Sequence, residues 1–195
     1  MSDAWARRKK HFLKRLEREC REGRVDGDIV PLLRVLNSLS DYYTTSSCSG
    51  RIQIVSARLP GDKWHMITLA KWHRPVSVDE FLSVIRGTDH PDLWFSVQPP
   101  ILHVICRTPK AALILLRLAR NSGFKRAGVQ GAKKQRYAVE IVGTERIEAP
   151  LRLNGIWMIR EEALPMLVEV ANKVLLRGKA RLDRLRRALG SLAEH

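Results

Sequence analysis

The stretch 42–55, YYTTSSCSGRIQIV, holds the densest run of side chains that could bind or react. Residues 44–49 are six consecutive hydroxyl or thiol residues, and a glycine and an arginine follow them. Donors in a polar turn of this kind can converge on an anion, and an arginine adds a fixed fork of donors. We therefore predict a ligand-binding turn, feeding a strand, formed by Thr45, Ser46, Ser47, Cys48, Ser49, Gly50 and Arg51.

Two other interpretations of this stretch stay open at this point. Cys48 could be a nucleophile, which would need a neighbouring base to generate its thiolate, and the sequence shows no such base. The hydroxyl groups could also simply satisfy nearby backbone groups in a turn. The density of the run favours a binding site over both alternatives.

Two histidines are candidates for acid–base chemistry. His73 ends the segment LAKWH, where a strand leaves the sheet, and His103 interrupts the apolar run ILHVICR. A single histidine in a strand is more often a packed residue than a base, and His65 is expected to be an exposed strand residue. There is no HxH or HExxH spacing, and the three cysteines form no CxxC pair, so no metal site is predicted.

Aromatic and basic residues indicate a nucleic-acid partner. The net charge is +15 with a pI of about 10.5, and the basic residues cluster at 1–24, 120–136 and 173–190. Such clusters bind phosphate chains with release of counterions, and tryptophans at strand ends can stack on bases, although core packing is equally common. The predicted stacking residues are Trp72 and Trp94; the predicted backbone contacts are Lys125, Arg126, Lys133, Lys134, Arg136, Lys179 and Arg181.

The elements that must position these residues follow from periodicity and turn chemistry. Helices are predicted at 3–24, 29–39, 78–86, 109–122 and 161–190, the last with a kink or break near Pro165 or Gly178. Strands are predicted at 50–58, 64–70, 92–98, 100–107, 124–130, 136–143 and 146–150. Ser77 and Glu80 have the spacing of a capping box.

This order of elements predicts an α+β fold with a mixed, largely antiparallel sheet covered by helices. No linker divides the chain, so residues 1–195 are expected to form a single domain with basic N- and C-terminal helices. Halves at about 44–98 and 100–150 would be compatible with a divergent duplication. No GxGxxG loop follows the first predicted strand, which argues against a Rossmann nucleotide-binding fold. No apolar run reaches the roughly 18 residues of a membrane span, and no signal peptide is visible, so a cytoplasmic protein is expected.

Several blocks together resemble the wybutosine-synthesising protein three family, whose archaeal members belong to the wyosine pathway. The blocks are YYTTSSCSGRI, KWH, LWF…QPPILHVICRT, GFKRAGV and VANKVL, and the similarity extends from about residue 10 to 187. The resemblance implies a tRNA-modifying methyltransferase that uses S-adenosylmethionine. Its implied substrate is the N-4 position of a demethylated wyosine, a tricyclic guanosine next to the anticodon of phenylalanine tRNA.

The resemblance also implies roles for individual residues. The block 45–51 would hold either the methionine carboxylate of the methyl donor or a substrate phosphate, and Trp72 or Trp94 would stack on the tricyclic base. His103 or His73 would be the base, with Asp41 as an outside candidate. Asn172 matches an asparagine of the family's last helix. Residues 61–72 depart from the form of the family's eukaryotic members, and the AGV at 127–129 replaces a more usual Ser-Gly-Ile, so no role is carried over to Ala127.

Two other functions remain as alternatives. A non-catalytic tRNA-binding accessory protein would explain the charge and the aromatic residues equally well, but not the hydroxyl run or the polar His103. A hydrolase that uses Cys48 is the weaker alternative. The sequence leaves the oligomeric state and the preferred wyosine intermediate undetermined.

Overall fold

The structure, a computed structural model, describes residues 4–62, 64–133 and 136–193. The helices in these ranges are α1 (Ala4–Arg21), α2 (Val30–Ser38), α3 (Val78–Arg86), α4 (Pro109–Asn121) and α5 (Leu164–Ala193), with one 3₁₀ turn at Glu161–Ala163. The strands are β1 (Tyr42–Cys48), β2 (Arg51–Ser56), β3 (Ile67–Trp72), β4 (Leu93–Gln98), β5 (Ile101–Cys106), β6 (Arg126–Lys133), β7 (Arg136–Val142), β8 (Ile147–Leu153) and β9 (Ile156–Trp157). The helix–strand content confirms the predicted α+β class.

The chain forms two compact units, each built on one antiparallel sheet. The first unit comprises residues 1–49, 100–144 and 178–195, and the second comprises residues 50–99 and 145–177. Each unit is assembled from segments that are not contiguous in the sequence. Their boundaries therefore differ from the halves 44–98 and 100–150 that a divergent duplication would give. Among the described residues every strand pair is antiparallel, which confirms the largely antiparallel pairing and leaves no doubly wound parallel sheet.

The first unit has a four-stranded sheet in the order β1-β5-β7-β6. One face carries the core, to which α2, α4 and the end of α5 contribute apolar side chains such as Leu36, Leu115 and Leu185. On β5, Leu102 and Val104 are fully buried in this core, whereas the intervening His103 points to the other face. The strict alternation of a strand therefore places His103 on the face away from the core.

The second unit has a five-stranded sheet in the order β3-β2-β4-β8-β9. Its core packs α3 and the start of α5 against β2 and β4, and Phe81 meets Phe95 edge-on at a centroid distance of 5.4 Å. The predicted capping box begins α3, because Ser77 Oγ accepts from the Glu80 N–H and the Glu80 carboxylate accepts from the Ser77 N–H. None of the described helices is long and apolar enough to cross a membrane.

Three features differ from the sequence-based prediction. The polar turn predicted at 45–51 is mostly strand, because the buried Tyr42 and Tyr43 anchor β1 in the sheet and only two residues separate β1 from β2. The strand predicted at 64–70 begins only at Ile67, which leaves His65 exposed in a turn. The predicted break near Gly178 is wrong, since α5 continues through it. A Cβ at Gly178 would lie 2.9 Å from the Pro100 ring, so the glycine serves close packing and not a break.

Candidate functional site

A β-bulge in β1 aims Ser46 at His103. Thr44 pairs with Val104 and Ser46 pairs with His103, so Thr45 is the extra residue between them. Thr44 is buried with Val104, and without the bulge Ser46 would follow it to the core face. Insertion of one residue reverses the alternation of faces. Ser46 consequently lies exposed on the same face as His103.

Four side chains on the outer face of the first sheet form a continuous hydrogen-bonded chain. Ser46 Oγ lies 2.8 Å from His103 Nδ1. His103 Nε2 lies 2.9 Å from Glu140 Oε2. Gln130 Nε2 donates to the other carboxylate oxygen, Glu140 Oε1, at 3.1 Å. The chain thus crosses all four strands, from β1 through β5 and β7 to β6.

Hydrogen-bond chemistry fixes the direction of each bond in the neutral form of His103. An ionised carboxylate only accepts, so the proton of the imidazole lies on Nε2 and points to Glu140. The lone pair of Nδ1 then accepts from the Ser46 hydroxyl. With 39% of the His103 side chain and 30% of the Glu140 side chain exposed, a ligand can reach this chain from solvent. The arrangement can move a proton from Ser46 to His103.

The end of β1 is held by a second network within the first unit. The Ser49 N–H donates to Asp26 Oδ2 at 2.7 Å, and Lys179 Nζ donates to Ser49 Oγ at 3.0 Å. Lys179 also pairs with Asp28 and is only 17% exposed. Lys179, which was predicted to contact phosphate, is therefore bound by Asp28 and Ser49 within the protein, and it positions Ser49.

A small cavity lies beside the hydroxyl run. It has a volume of about 100 Å³ and is lined by residues of α1, the following loop and β1: Phe12, Arg15, Leu16, Glu19, Arg24, Val25, Thr44, Thr45, Ser46 and Ser47. Ligand pockets usually measure about 300–1,000 Å³. The cavity fits one polar group of a ligand, such as a carboxylate, and not a whole methyl donor. Its hydroxyl donors suit that chemistry.

Gly50, Arg51 and the second histidine lie in the second unit, whereas Cys48 ends β1 in the first unit. Gly50 has a φ of +88°, a left-handed conformation that glycine adopts without strain. Its carbonyl accepts from His73 Nδ1 at 3.1 Å. Arg51 Nε donates to Gln53 Oε1 at 2.8 Å. His73 is thereby held with its other ring nitrogen, Nε2, as the acceptor in the neutral form.

The predicted stacking tryptophans, Trp72 and Trp94, make contacts within the second unit. Trp72 packs against its core, and Trp94 Nε1 donates to the Ala57 carbonyl at 3.0 Å. Both retain some exposure. Trp64 and Trp157 are more exposed, at 92% and 46%, and Arg152 lies 5.0 Å from the Trp157 ring centre. Sequence reasoning did not single out Trp157.

Most predicted phosphate contacts lie along one hairpin of the first unit. Lys125, Arg126 and Lys133 are exposed at or within β6, and Arg136 begins β7. Within the described part of the chain, the structure records no carboxylate paired with any of these four. Arg181 Nη1 donates to Thr144 Oγ1 at 2.9 Å. The predicted contact Lys134 lies outside the described residues.

Asn172 and Asp41, which the family resemblance suggested, make contacts in other parts of the structure. Asn172 makes two bonds to the Val76 backbone, accepting its N–H at 2.9 Å and donating to its carbonyl at 2.8 Å, and so ties α5 to the segment before α3. Asp41 precedes β1, and its backbone carbonyl accepts from the Arg107 N–H at 2.9 Å. Burial and, secondarily, the Asp41 carboxylate raise the pKa of the Cys106 thiol to about 12.

Sequence reasoning missed Glu140, Gln130 and Asp26. Each is an ordinary polar residue in a strand or loop, and only the register of β5 with β7 places Glu140 opposite His103. One signal was present: YAVEIV has a single charge at the position where alternation places it on the outer face. A search for polar residues on outer faces of neighbouring strands could have found the pair.

The chain is similar to known proteins over almost its whole length. Residues 7–191 match the family described as Methyltransferase TYW3. A Pyrococcus furiosus protein named tRNA(Phe) 7-((3-amino-3-carboxypropyl)-4-demethylwyosine(37)-N(4))-methyltransferase 1 is 43% identical, with 98% of this chain and 97% of that protein covered. The Archaeoglobus fulgidus protein with the same name, without the final numeral, is 40% identical, with 96% and 94% covered.

Solved structures agree with these matches. The PH1069 protein from Pyrococcus horikoshii superimposes with a TM-score of 0.90 at 42% identity, covering 94% of this chain and 95% of that one. A hypothetical protein from Aeropyrum pernix gives a TM-score of 0.75 at 33% identity, covering 87% and 100%. The family resemblance indicated by the motifs is confirmed, and the chain belongs to the Methyltransferase TYW3 family.

Proposed function

We propose that this protein transfers a methyl group from S-adenosylmethionine to N-4 of a 4-demethylwyosine derivative next to the anticodon of phenylalanine tRNA. The observation that carries the proposal is the 43% identity over 98% of the chain to a protein named for this reaction. The donor supplies an electrophilic methyl group on a sulfonium when bound. The protein must align this methyl with the acceptor nitrogen, since positioning supplies much of the barrier reduction.

The hydroxyl run supplies the donors for a zwitterionic or anionic group. Ser47 lines the small cavity, and among the described residues no hydrogen-bond partner is recorded for its hydroxyl. Thr45 Oγ1 makes only a long bond of 3.4 Å to the His103 carbonyl. In the proposal, Ser47 and Thr45 bind the carboxylate of the methyl donor or a phosphate of the tRNA. In the second unit, Arg51 is proposed to bind an anionic group of the ligand.

His103 is the proposed base, and His73 is the alternative. The acceptor nitrogen loses a proton during transfer, so a base within hydrogen-bond reach accelerates the step. His103 is half-exposed and its ring is oriented by Glu140, which supports its choice. In the proposal Trp72 or Trp94 stacks on the tricyclic base, because stacking on an aromatic ring holds an extruded base of any sequence.

The tRNA backbone is proposed to bind the basic hairpin of Lys125, Arg126, Lys133 and Arg136. Its exposed cations without recorded carboxylate partners support this, since phosphate binding then costs no internal ion pair. The charges of 173–190 are weaker candidates: Lys179 is paired with Asp28, and Arg186 and Arg187 both pair with Asp183.

A methylation assay of variants tests the proposal. Ser47→Ala and His103→Ala should abolish turnover while the melting temperature changes little, whereas Cys48→Ala should keep activity. Full activity in both Ser47→Ala and His103→Ala would overturn this site. His73→Ala, assayed alongside, decides between the two histidines: loss of turnover there with full activity in His103→Ala would transfer the base to His73.

Calorimetry separates the enzyme from a non-catalytic tRNA-binding accessory protein. The proposal expects saturable binding of S-adenosylmethionine, alone or with tRNA present. Binding of tRNA without any binding of the methyl donor would support the accessory protein instead. The same experiment with Ser47→Ala should weaken binding of the donor if that hydroxyl holds its carboxylate.

A further inference from the structure

We propose that Ser46 takes the proton from the acceptor nitrogen and passes its own proton to Nδ1 of His103, while Glu140 and Gln130 act as positioning residues. The inference rests on the proposed methyl transfer and adds the path of the proton. Ser46 is the catalytic residue that touches the substrate. His103 is the acceptor behind it.

The residues of this path lie on neighbouring strands of one sheet. Ser46 and Glu140 are the direct Cα partners of His103 on its two neighbouring strands. The three side chains therefore share one face at the normal spacing of adjacent strands, and both contacts with the imidazole are short, at 2.8 and 2.9 Å. Residues on strands hold such geometry better than residues on loops. The bulge at Thr45 is what brings Ser46 onto this face.

Glu140 decides which ring nitrogen is basic. Its carboxylate accepts the Nε2 proton and leaves Nδ1 unprotonated toward Ser46. It also stabilises the imidazolium that forms when Nδ1 receives a proton, as the acidic member of a serine–histidine–acid triad does. In this protein the order on the ring is reversed, since Nδ1 faces the serine and Nε2 faces the acid.

Gln130 fixes the orientation of the Glu140 carboxyl group. Its amide NH₂ must face the carboxylate, because a carboxylate only accepts, and Nε2 lies 3.1 Å from Oε1. One carboxylate oxygen is thereby committed to Gln130 and the other to His103. The two bonds keep the carboxyl plane from rotating away from the imidazole.

The proton and electron balance closes without another reactant. The acceptor N–H proton moves to Ser46 Oγ while the Ser46 hydroxyl proton moves to His103 Nδ1. The nitrogen forms its bond to the methyl carbon as the carbon–sulfur bond breaks, and that electron pair stays on sulfur. The products are an N-methylated base, a neutral thioether and an imidazolium paired with Glu140, which returns its proton to solvent.

Replacing Glu140 by glutamine tests the inference, because it should reverse the tautomer of His103. Gln130 still donates to the oxygen of residue 140, so the new NH₂ group faces His103 Nε2. The imidazole must then accept at Nε2 and carry its proton on Nδ1, which turns the basic atom away from Ser46. We expect kcat to fall on the order of 100-fold or more, with KM for the methyl donor and for tRNA nearly unchanged.

The exchanged pair Gln130→Glu with Glu140→Gln is the rescue. The carboxylate at 130 accepts the NH₂ of residue 140, so the amide oxygen turns to His103 and restores the Nε2–H tautomer. We expect the double variant to recover at least 10-fold in kcat over Glu140→Gln alone, a partial recovery because the negative charge is one residue farther from the ring. Gln130 is exposed and Glu140 is half-buried, and substitutions at such surface positions change stability little, so all variants should fold.

Nitrogen NMR of ¹⁵N-histidine-labelled protein supplies a readout that a purely structural role would not move. The His103 signals should show the Nε2–H tautomer in the wild type and the exchanged pair, and the Nδ1–H tautomer in Glu140→Gln. Wild-type kcat in Glu140→Gln or in Ser46→Ala would overturn the relay while leaving the proposed function intact. A wild-type protein that transfers no methyl group would instead overturn the proposed function.

Discussion

His103 Nε2 lies 2.9 Å from Oε2 of Glu140, its direct partner on the neighbouring strand of the first sheet. The register of β5 and β7 produces this contact, and the bulge in β1 supplies Ser46 on the other side of the ring. A histidine that sequence patterns place inside an apolar strand thus becomes the centre of a polar chain on the outer face. The contact gives the ring a defined orientation, which a base needs.

The basic hairpin should dominate the salt dependence of tRNA binding. Lys125→Ala and Arg126→Ala should each weaken tRNA binding, and each should lower the slope of log Kobs against log salt by about 0.7–0.9 if one phosphate contact is lost. Filter binding or fluorescence anisotropy at several salt concentrations measures both quantities. Lys110→Ala is the matched control, since Lys110 is an exposed cation in the first turn of α4. An equal loss in the control would refute a localised tRNA surface.

The two glycines of α5 should respond in opposite ways to alanine. A Cβ at Gly178 would lie 2.9 Å from Pro100 Cδ, whereas one at Gly190 meets nothing within 4 Å. Alanine gains up to about 1 kcal/mol in helix propensity, but overpacking against a rigid ring costs about 1–3 kcal/mol. Gly178→Ala should therefore lower, and Gly190→Ala raise, the free energy of unfolding measured in urea. Equal stability of the two variants would contradict the close packing.

The buried Cys106 thiol should make the protein less stable in alkali. Burial raises its pKa from 9.0 to about 12, so above pH 9 the unfolded chain loses this proton while the folded protein keeps it. The resulting stability is fully present below pH 9 and is lost as pH rises toward 12. The free energy of unfolding should fall by about 1.4 kcal/mol per pH unit from this group.

Urea unfolding at pH 8, 9 and 10 checks this decline. Cys106→Ala should be less stable at pH 8, because it leaves a small cavity in the core, but its stability should fall less steeply above pH 9. Parallel declines in the two proteins would show that another group is responsible. Tyr42, whose pKa burial raises to about 12, is expected to contribute only above pH 10.

Local patterns were sufficient to predict most elements. The amphipathic period of 109–122 and the capping box at Ser77 gave α4 and α3 nearly to the residue. The strands predicted at 50–58 and 64–70 correspond to β2 and β3 with shifted ends. These features depend on neighbours along the chain, so the sequence carries them directly. β1 was missed because its second half is only partly buried and hydroxyl-rich, and only pairing with β5 makes it a strand.

The candidate site depended on long-range pairing, which the sequence does not display. Ser46 and His103 were found by residue type, but their contact requires a bulge at Thr45 that nothing in TTSSCSG marks. Glu140 is 37 residues from His103 along the chain. The ammonium of Lys179 was expected to face solvent because it belongs to a basic run, yet it folds onto Ser49 and Asp28 from 130 or more residues away.

Analysis of the modified nucleoside tests the central claim most directly. The purified protein is incubated with S-adenosylmethionine and phenylalanine tRNA carrying the 4-demethylwyosine derivative, and the digested tRNA is examined by mass spectrometry. The account predicts one added methyl group, on N-4 of the tricyclic base, and none on tRNA that carries guanosine at the same position. No methyl transfer to the tricyclic base, or equal transfer to both tRNAs, would contradict it.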